Sequence, residues 1–180
     1  VGTEVSGSHP IAKENNLTRG LFGLTEINGD FTVNRHIPIT DKRDSSLLSK
    51  DIPSSIELLD INGRLAIIIK NENTFCAKIF SSDYKLLKQV TLTEGVSVLK
   101  HISIALANGF ISTFSTAEDL CIAYVTGDGI VRKRWKIHTA NMSYANFYCM
   151  NDKENFYVII NDRQANEVIR KTIPIYDLEK

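Results

Sequence analysis

Four residues in one short segment have the types and spacing to bind a partner: Arg132, Arg134, Trp135 and Lys136. In an extended strand alternate side chains point to opposite faces, so the three cations share one face and Trp135 lies on the other with Val131 and Ile137. Such a cationic strip suits an acidic partner or a phosphate backbone. The same charges on an outer strand also prevent edge-to-edge pairing. Because no aromatic side chains interleave with the cations, we favour the structural role and keep the four as candidate partner-binding residues.

Residues for catalysis or metal binding do not form a recognisable pattern. The histidines at positions 9, 36, 101 and 138 are scattered, and no two have metal-ligand spacing. No Gly-x-Ser-x-Gly elbow is present. Gly127-Asp128-Gly129 lacks the later glycine and lysine of a phosphate-binding loop, so it is interpreted as a turn. The sequence predicts a protein that is not an enzyme, with no catalytic residue, no metal site and no cofactor.

The three cysteines, Cys76, Cys121 and Cys149, favour an intracellular protein with free thiols. Their number is odd, and their spacing matches neither a zinc site nor a CxxC redox pair. Sequons at Asn16 and Asn141 keep a secreted location open. A cytoplasmic or nuclear location is therefore the prediction.

The composition is that of a globular domain. Of the 180 residues, 43% are hydrophobic and 23% are charged, and 21 basic side chains balance 21 acidic ones. A formal charge of zero argues against nucleic acid as a partner. The longest aliphatic run, Leu65 to Ile69, is far shorter than the roughly 20 residues of a membrane helix, so no membrane insertion is expected.

From residue 20 onward nearly every segment has the pattern of a short strand. About thirteen alternating or β-branched runs end at turn residues such as Asn62-Gly63, Ser82-Asp83 and Asn108-Gly109. No convincing helix is found. The first 19 residues are polar and without periodicity, and they are predicted to form a flexible arm or linker. The prediction is an all-β protein with an arm at 1–19 and one repeat domain at 20–180.

The strands recur with a period of about 45 residues. Cys76 and Cys121 are 45 apart, and so are Leu92 and Ile137. Gly63 and Gly109, each ending an Asn-Gly pair, are 46 apart. The repeated unit is therefore two hairpins, or four antiparallel strands, followed by a longer connection.

Two segments carry a resemblance to the β-propeller superfamily, in the broad sense that includes WD-type repeats. They are DINGRLAIIIKNENTFCAKIFSSDYKLLKQVTL and ISIALANGFISTFSTAEDLCIAYVTGDGIVRKRWKI. Four strands per 45 residues is the length of a propeller blade. The Gly-His and Trp-Asp signatures of WD repeats are missing. The chain holds about three blades, so the resemblance implies a partial or interrupted propeller. A β-trefoil, with three four-stranded repeats of similar length, is the alternative.

The propeller resemblance implies a protein–protein interaction scaffold, part of a larger β-propeller protein or complex. Other protein chains are the expected partners. The alternative function is a carbohydrate-binding module, which would fit a trefoil or a lectin-like propeller. Such a module would repeat aromatic residues at one loop position, and Tyr84, Tyr124 and Tyr144 do not share one.

Overall fold

The computed structural model describes residues 2–5, 21–27, 29–30, 32–38, 53–72, 74–138, 142 and 145–179. The protein is all-β, as expected. Its antiparallel sheets have three or four strands, where the sequence predicted repeats of four. The chain divides into two compact units, residues 1–52 and residues 53–180. The sequence predicted an arm at 1–19 and a single domain at 20–180.

The first unit, residues 1–52, contains a sheet of three strands. They are β1 (Gly2–Val5), β2 (Leu21–Ile27) and β3 (Val33–Pro38), in the order β1-β2-β3. β1 lies within the segment for which the sequence predicted an arm, and it pairs antiparallel with β2. The remainder of residues 1–19 is outside the described residues, and so is Asn16.

The second unit, residues 53–180, contains three successive sheets. The first consists of β4 (Ser55–Ile61), β5 (Arg64–Lys70), β6 (Thr74–Phe80) and β7 (Leu86–Glu94). The second consists of β8 (Lys100–Leu106), β9 (Gly109–Ser115), β10 (Asp119–Thr126) and β11 (Val131–His138). The third has β12 (Ala145–Asn151), β13 (Asn155–Asp162) and β14 (Glu167–Pro174), and the helix α1 (Ile175–Glu179) follows it. In each sheet the strands lie side by side in chain order.

The first hairpin shows why the turn residues end the strands where they do. Asn62 and Gly63 have φ of 50° and 80°, the left-handed values that a two-residue hairpin turn requires. The corresponding turn in the second sheet uses Ala107 and Asn108, because Leu106 pairs with Gly109 as Ile61 pairs with Arg64. The two hairpins are therefore 45 residues apart. Alignment of the two Asn-Gly pairs, which gave 46, was wrong by one residue.

The second hairpins of these two sheets repeat at the same interval. Ile79 pairs with Lys88, and Tyr124 pairs with Lys133, each pair being next to a shift in strand register. The equivalence of Cys76 with Cys121, and of Leu92 with Ile137, agrees with this spacing of 45 residues. The sheet of the first unit has the same shift after the pair Glu26 and Arg35.

The turns of these two hairpins, 81–85 and 126–130, have the same hydrogen bonds. In the first, the Ser81 hydroxyl donates to the Asp83 carboxylate and accepts from the Lys85 amide at 3.1 Å. In the second, the Thr126 hydroxyl donates to Asp128 and accepts from the Ile130 amide at 3.0 Å. The fourth residue of each turn has positive φ, 61° at Tyr84 and 80° at Gly129. A hydroxyl and a carboxylate two residues apart thus define this turn.

The three sheets of the second unit are stacked. One hydrophobic core lies between β4–β7 and β8–β11, with Ile68, Phe75 and Phe110 among its buried members. A second core lies between β8–β11 and β12–β14 and includes Ile111, Tyr124 and Val158. The middle sheet is therefore covered on both faces. The first strands of neighbouring sheets, β4 and β8 and then β8 and β12, lie next to each other.

Candidate functional site

The predicted partner-binding residues lie on β11, the outermost strand of the middle sheet. Exposure alternates along the strand: Arg132, Arg134 and Lys136 are exposed, and Trp135 is half-buried against the second core together with Ile137. The predicted separation of the three cations from Trp135 agrees with this alternation.

Val131 is an exception to the predicted faces. Lys133 pairs with Tyr124 and Val131 pairs with Val125, which leaves Arg132 as an extra residue in a bulge. A bulge changes the face on which the following side chains lie. Val131 consequently packs against the first core, whereas Trp135 packs against the second. The expectation that Val131 shares a face with Trp135 and Ile137 was wrong.

The Arg134 side chain joins two sheets. Its guanidinium donates to the carbonyl oxygen of Leu92 at 2.7 Å and to that of Thr91 at 3.3 Å. Both carbonyls belong to β7, the outermost strand of the preceding sheet. Arg134 is thereby held in one orientation across the sheet boundary.

Lys136 and His138 converge on Asp119, whose side chain is only 10% exposed. The Lys136 ammonium lies 2.6 Å from Oδ2 of Asp119, and Nδ1 of His138 lies 3.1 Å from Oδ1. Lys136, followed by His138, lowers the pKa of the Asp119 carboxyl by hydrogen bonding to it. The contact with Asp119 in turn raises the pKa of Lys136. The group is an ion pair reinforced by an imidazole.

A cleft of about 620 Å³ opens between β7 and the outer strands of the middle sheet. Three of the four predicted residues line it, Arg134, Trp135 and Lys136, and Asp119 lines it as well. Its apolar lining includes Leu92, Val96, Phe114 and Ala123. Arg132 is not part of the lining. The cleft thus combines an apolar surface with charged groups fixed by contacts inside the protein.

Cys121 also lines the cleft, and it is half-buried. Burial, with a smaller effect of Asp119, raises the pKa of its thiol. The thiolate is the nucleophilic form of cysteine, so this environment disfavours nucleophilic chemistry.

A group of polar side chains on β4 and β8, the first strands of their sheets, was not predicted from the sequence. The Nε2 atom of His101 on β8 lies 3.3 Å from the Ser55 hydroxyl and 3.7 Å from a Glu57 carboxylate oxygen, both on β4. The Phe75 ring packs against the imidazole, with ring centroids 5.0 Å apart. Burial lowers the pKa of His101, which Glu57 opposes. The near-45-residue spacing of Ser55 and His101 was the signal that could have brought them together.

Neighbouring Cys149 on β12 is also unsuited to nucleophilic chemistry. Burial raises the pKa of its thiol to about 11, with Glu57 adding to the effect. Glu57 keeps one buried carboxylate oxygen without a hydrogen bond among the described residues.

Other sequence-based candidates are dispersed. Tyr124 is buried in the second core and Tyr84 lies in the 81–85 turn, while Tyr144 and the Asn141 sequon lie outside the described residues. His9 is likewise outside them, and the side chain of His36 is not described. The described ranges contain no group of three or more His, Cys, Asp or Glu residues placed to hold a metal ion. In those ranges no helix has the length and apolar character needed to cross a membrane.

Comparison with models of protein families, with curated proteins and with solved structures finds no match to this chain.

Proposed function

We propose that this chain is a non-catalytic protein-interaction scaffold built from blade-like sheets of the β-propeller type. The support for the blade assignment is the tandem of four-stranded sheets with the same strand order, a spacing of 45 residues and stacking through shared cores. The placement of β4, β8 and β12 beside one another also suits blades arranged around an axis. Fold does not determine function, so the functional proposal depends on the cleft.

The cleft is the observation that carries the proposed function. Its volume falls within the range of binding pockets, and its lining is apolar beside a few placed polar groups. Val96 and Ala117 are exposed and Cys121 is half-buried, and these three offer a surface for one apolar side chain of a partner. Leu92, Phe114 and Ala123 are buried beneath them.

The charged lining of the cleft consists of two carboxylates, Glu118 and Asp119, and two cations, Arg134 and Lys136. The cations favour a ligand carboxylate beside that apolar side chain. Lys136 is 67% exposed and its ammonium has three donors, so it binds Asp119 and still has donors for a ligand. Arg134 is fixed by the carbonyl oxygens of β7, which reduces the entropy that it loses on binding. The proposed ligand is therefore a segment of a partner protein with an apolar anchor next to Asp or Glu.

The absence of catalysis is part of the proposal, and the states of the charged and thiol groups support it. Asp119 is held as an ion-paired carboxylate, and the thiols of Cys121 and Cys149 are held in the protonated form. A carboxylate that acts as a general base needs a raised pKa, and a nucleophilic cysteine needs a lowered one. The shifts in this protein have the opposite direction.

The test is selection of displayed random peptides on the full chain, followed by calorimetry with the selected peptides. We expect an aromatic or aliphatic residue next to an acidic one, with affinity near the micromolar range. Val96→Glu, which places a carboxylate in the cleft, should weaken binding by about tenfold or more, equivalent to at least ~1.4 kcal/mol. Leu87→Glu is the matched control, because Leu87 is similarly exposed and is not part of the cleft lining.

Equal binding of the selected peptides to both variants would contradict the proposal, as would a selection that enriches no peptide. A glycan array probed with the same proteins provides the second arm. A glycan that binds the wild type and Leu87→Glu but not Val96→Glu would show that the ligand of the cleft is a carbohydrate rather than a protein segment.

A further inference from the structure

The sheets of the second unit differ in their number of strands. The sheets β4–β7 and β8–β11 have four strands each, and β12–β14 has three. In the two complete sheets the third strand, β6 or β10, lies between two neighbours. Among the described strands, β14 pairs with β13 alone.

The solvent exposure of the third strand also differs between the complete sheets and the sheet β12–β14. Five of the seven residues of β6 and six of the eight residues of β10 are buried. In β14 six of the eight are exposed, including Val168 at 70% and Ile169 at 38%. The third strand of this sheet is thus open where its counterparts are covered.

The outer edge of β14 has the backbone groups needed to accept another strand. On an edge strand alternate residues direct their N–H and C=O groups away from the sheet. The β14 sequence is rich in residues that favour strands, including Val168, Ile169 and Thr172. Pro174, which has no amide donor, lies only at its end.

The chain leaves the sheet directly after β14. The Ile175 amide donates to the carbonyl oxygen of Glu154 at 2.7 Å, and Leu178 of α1 is buried in the second core. The Lys133 ammonium on β11 donates to the carbonyl oxygen of Asp177, which ties α1 to the middle sheet. Helix α1 therefore follows the boundary between the sheets rather than continuing along the edge of β14.

The charge of this edge indicates the chemistry of its partner. Arg170 and Lys171 are exposed at the middle of the strand, and the Arg170 guanidinium stacks 4.7 Å from the centroid of the Tyr157 ring. Opposite charges on neighbouring strands stabilise their pairing, and like charges oppose it. Adjacent residues of a strand point to opposite faces. Two successive acidic residues on the partner strand can therefore pair with both cations.

We propose that the outer edge of β14 binds an extended acidic segment of another protein, which adds to the sheet as an antiparallel fourth strand. The position corresponds to that of β7 and β11 in the complete sheets. Main-chain hydrogen bonds supply the affinity and the two cations supply the selectivity. This edge belongs to a different sheet from the cleft residues, so the two surfaces are tested independently.

The first experiment measures binding of the full chain to the capped peptide Ser-Thr-Val-Glu-Asp-Val-Thr-Ser by fluorescence anisotropy. Two further versions carry N-methyl groups at alternate residues, one set beginning at the first residue and the other at the second. In an added strand only one set of amides faces β14. One methylated version should therefore bind like the parent peptide, and the other about tenfold or more weaker. Equal affinities of the two versions would overturn strand addition, and so would the lack of saturable binding by the parent peptide.

The second experiment tests the location and the charge. The double variant Arg170→Glu/Lys171→Glu should weaken binding of the parent peptide by about tenfold or more. Lys153→Glu, in the exposed β12–β13 turn of the same sheet, should leave it within about twofold. Hydrogen exchange should show that peptide binding protects β14 amides. Protection confined to other strands, or equal losses in the two charge variants, would reject this edge as the site.

Discussion

His101 is a buried imidazole at the junction of two sheets. Its side chain is 6% exposed and lies between Phe75 on one side and Ser55 and Glu57 on another. Burial is the largest influence on its pKa and lowers it, Lys70 adds to that effect, and Glu57 acts against it. The folded protein therefore favours the neutral imidazole.

This environment predicts that acidification destabilises the fold before the carboxylates protonate. In the unfolded chain His101 takes up a proton near its ordinary pKa of 6.5, and in the folded chain only at lower pH. Its contribution is therefore fully present above about pH 6.5, and it decreases as pH falls from there through the folded pKa. Urea unfolding midpoints between pH 8 and 5 should show this decrease in the wild type.

The variant His101→Gln isolates the effect, since it removes titration at this position. Each protein is compared with its own midpoint at pH 8, which corrects for any general loss of stability. The variant should show a shallower decrease between pH 6.5 and 5. Identical decreases in both proteins would assign the pH dependence to other groups.

At the scale of single residues, the sequence indicated which residue types were present but not which groups each side chain contacts. Arg134 was identified as an exposed cation of a strand, and the strand alternation was sufficient for that. Its binding to the carbonyl oxygens of Leu92 and Thr91 depends on a sheet boundary that joins residues more than 40 positions apart. His101 was missed for the same reason, because Ser55 and Glu57 lie on the preceding sheet.

Gly109 sets how closely two strands approach at the end of a hairpin. A Cβ at this position would lie 2.2 Å from the carbonyl oxygen of Val125 and 2.9 Å from Cα of Thr126. Both atoms belong to the backbone of β10, so no side-chain rotation relieves the overlap. The requirement for glycine here is therefore steric.

Gly109→Ala should lower the free energy of unfolding by about 1–3 kcal/mol, the usual cost of an overpacked position. Gly127→Ala is the control. A Cβ at Gly127 meets its nearest atom, a methyl carbon of Ile61, at 3.5 Å, which is an ordinary contact. Its effect should stay within about 0.5 kcal/mol. Urea denaturation of the two variants makes the comparison, and similar losses in both would show that the steric explanation is incorrect.

At the scale of elements most strands were predictable, and the failures have physical causes. All thirteen predicted strands are present, because alternation and turn residues define each strand locally. β1 has four residues and α1 has five, and both are too short for their periodicity to be recognised. The bulge at Arg132 is a property of the pairing with β10, which the sequence of β11 alone does not contain.

The middle sheet of the second unit has a core on each face, and this arrangement predicts an order of hydrogen exchange. All seven residues of β9 are buried, whereas β14 is mostly exposed and, among the strands that the structure describes, pairs with β13 alone. Local opening of β14 should therefore require less free energy than opening of β9. We expect amides of β9 to exchange slower than those of β14 by about two orders of magnitude or more. Exchange followed by mass spectrometry on the free chain tests this, and equal protection of the two strands would contradict the stacked arrangement.

At the scale of the whole molecule, the sequence predicted the 45-residue spacing of the hairpins in two neighbouring sheets, but it did not predict the cleft. The 45-residue period was readable because each repeat contains its own hairpins. The cleft was not readable, since Leu92 and Trp135 line it from different repeats and meet only when the sheets stack. The two units, residues 1–52 and 53–180, were not predicted either, because strand patterns of the same kind occur on both sides of the boundary.

The turns 81–85 and 126–130 have the same backbone hydrogen bonds but different side chains at their other positions. One hydroxyl and one carboxylate, Ser81 with Asp83 or Thr126 with Asp128, are sufficient to produce the same backbone path. The intervening and following side chains differ completely between the two copies, from Tyr84 to Gly129 and from Lys85 to Ile130. The second and fifth positions, Ser82 and Lys85 in one turn and Gly127 and Ile130 in the other, are therefore where side chains can change while the backbone of the turn is retained.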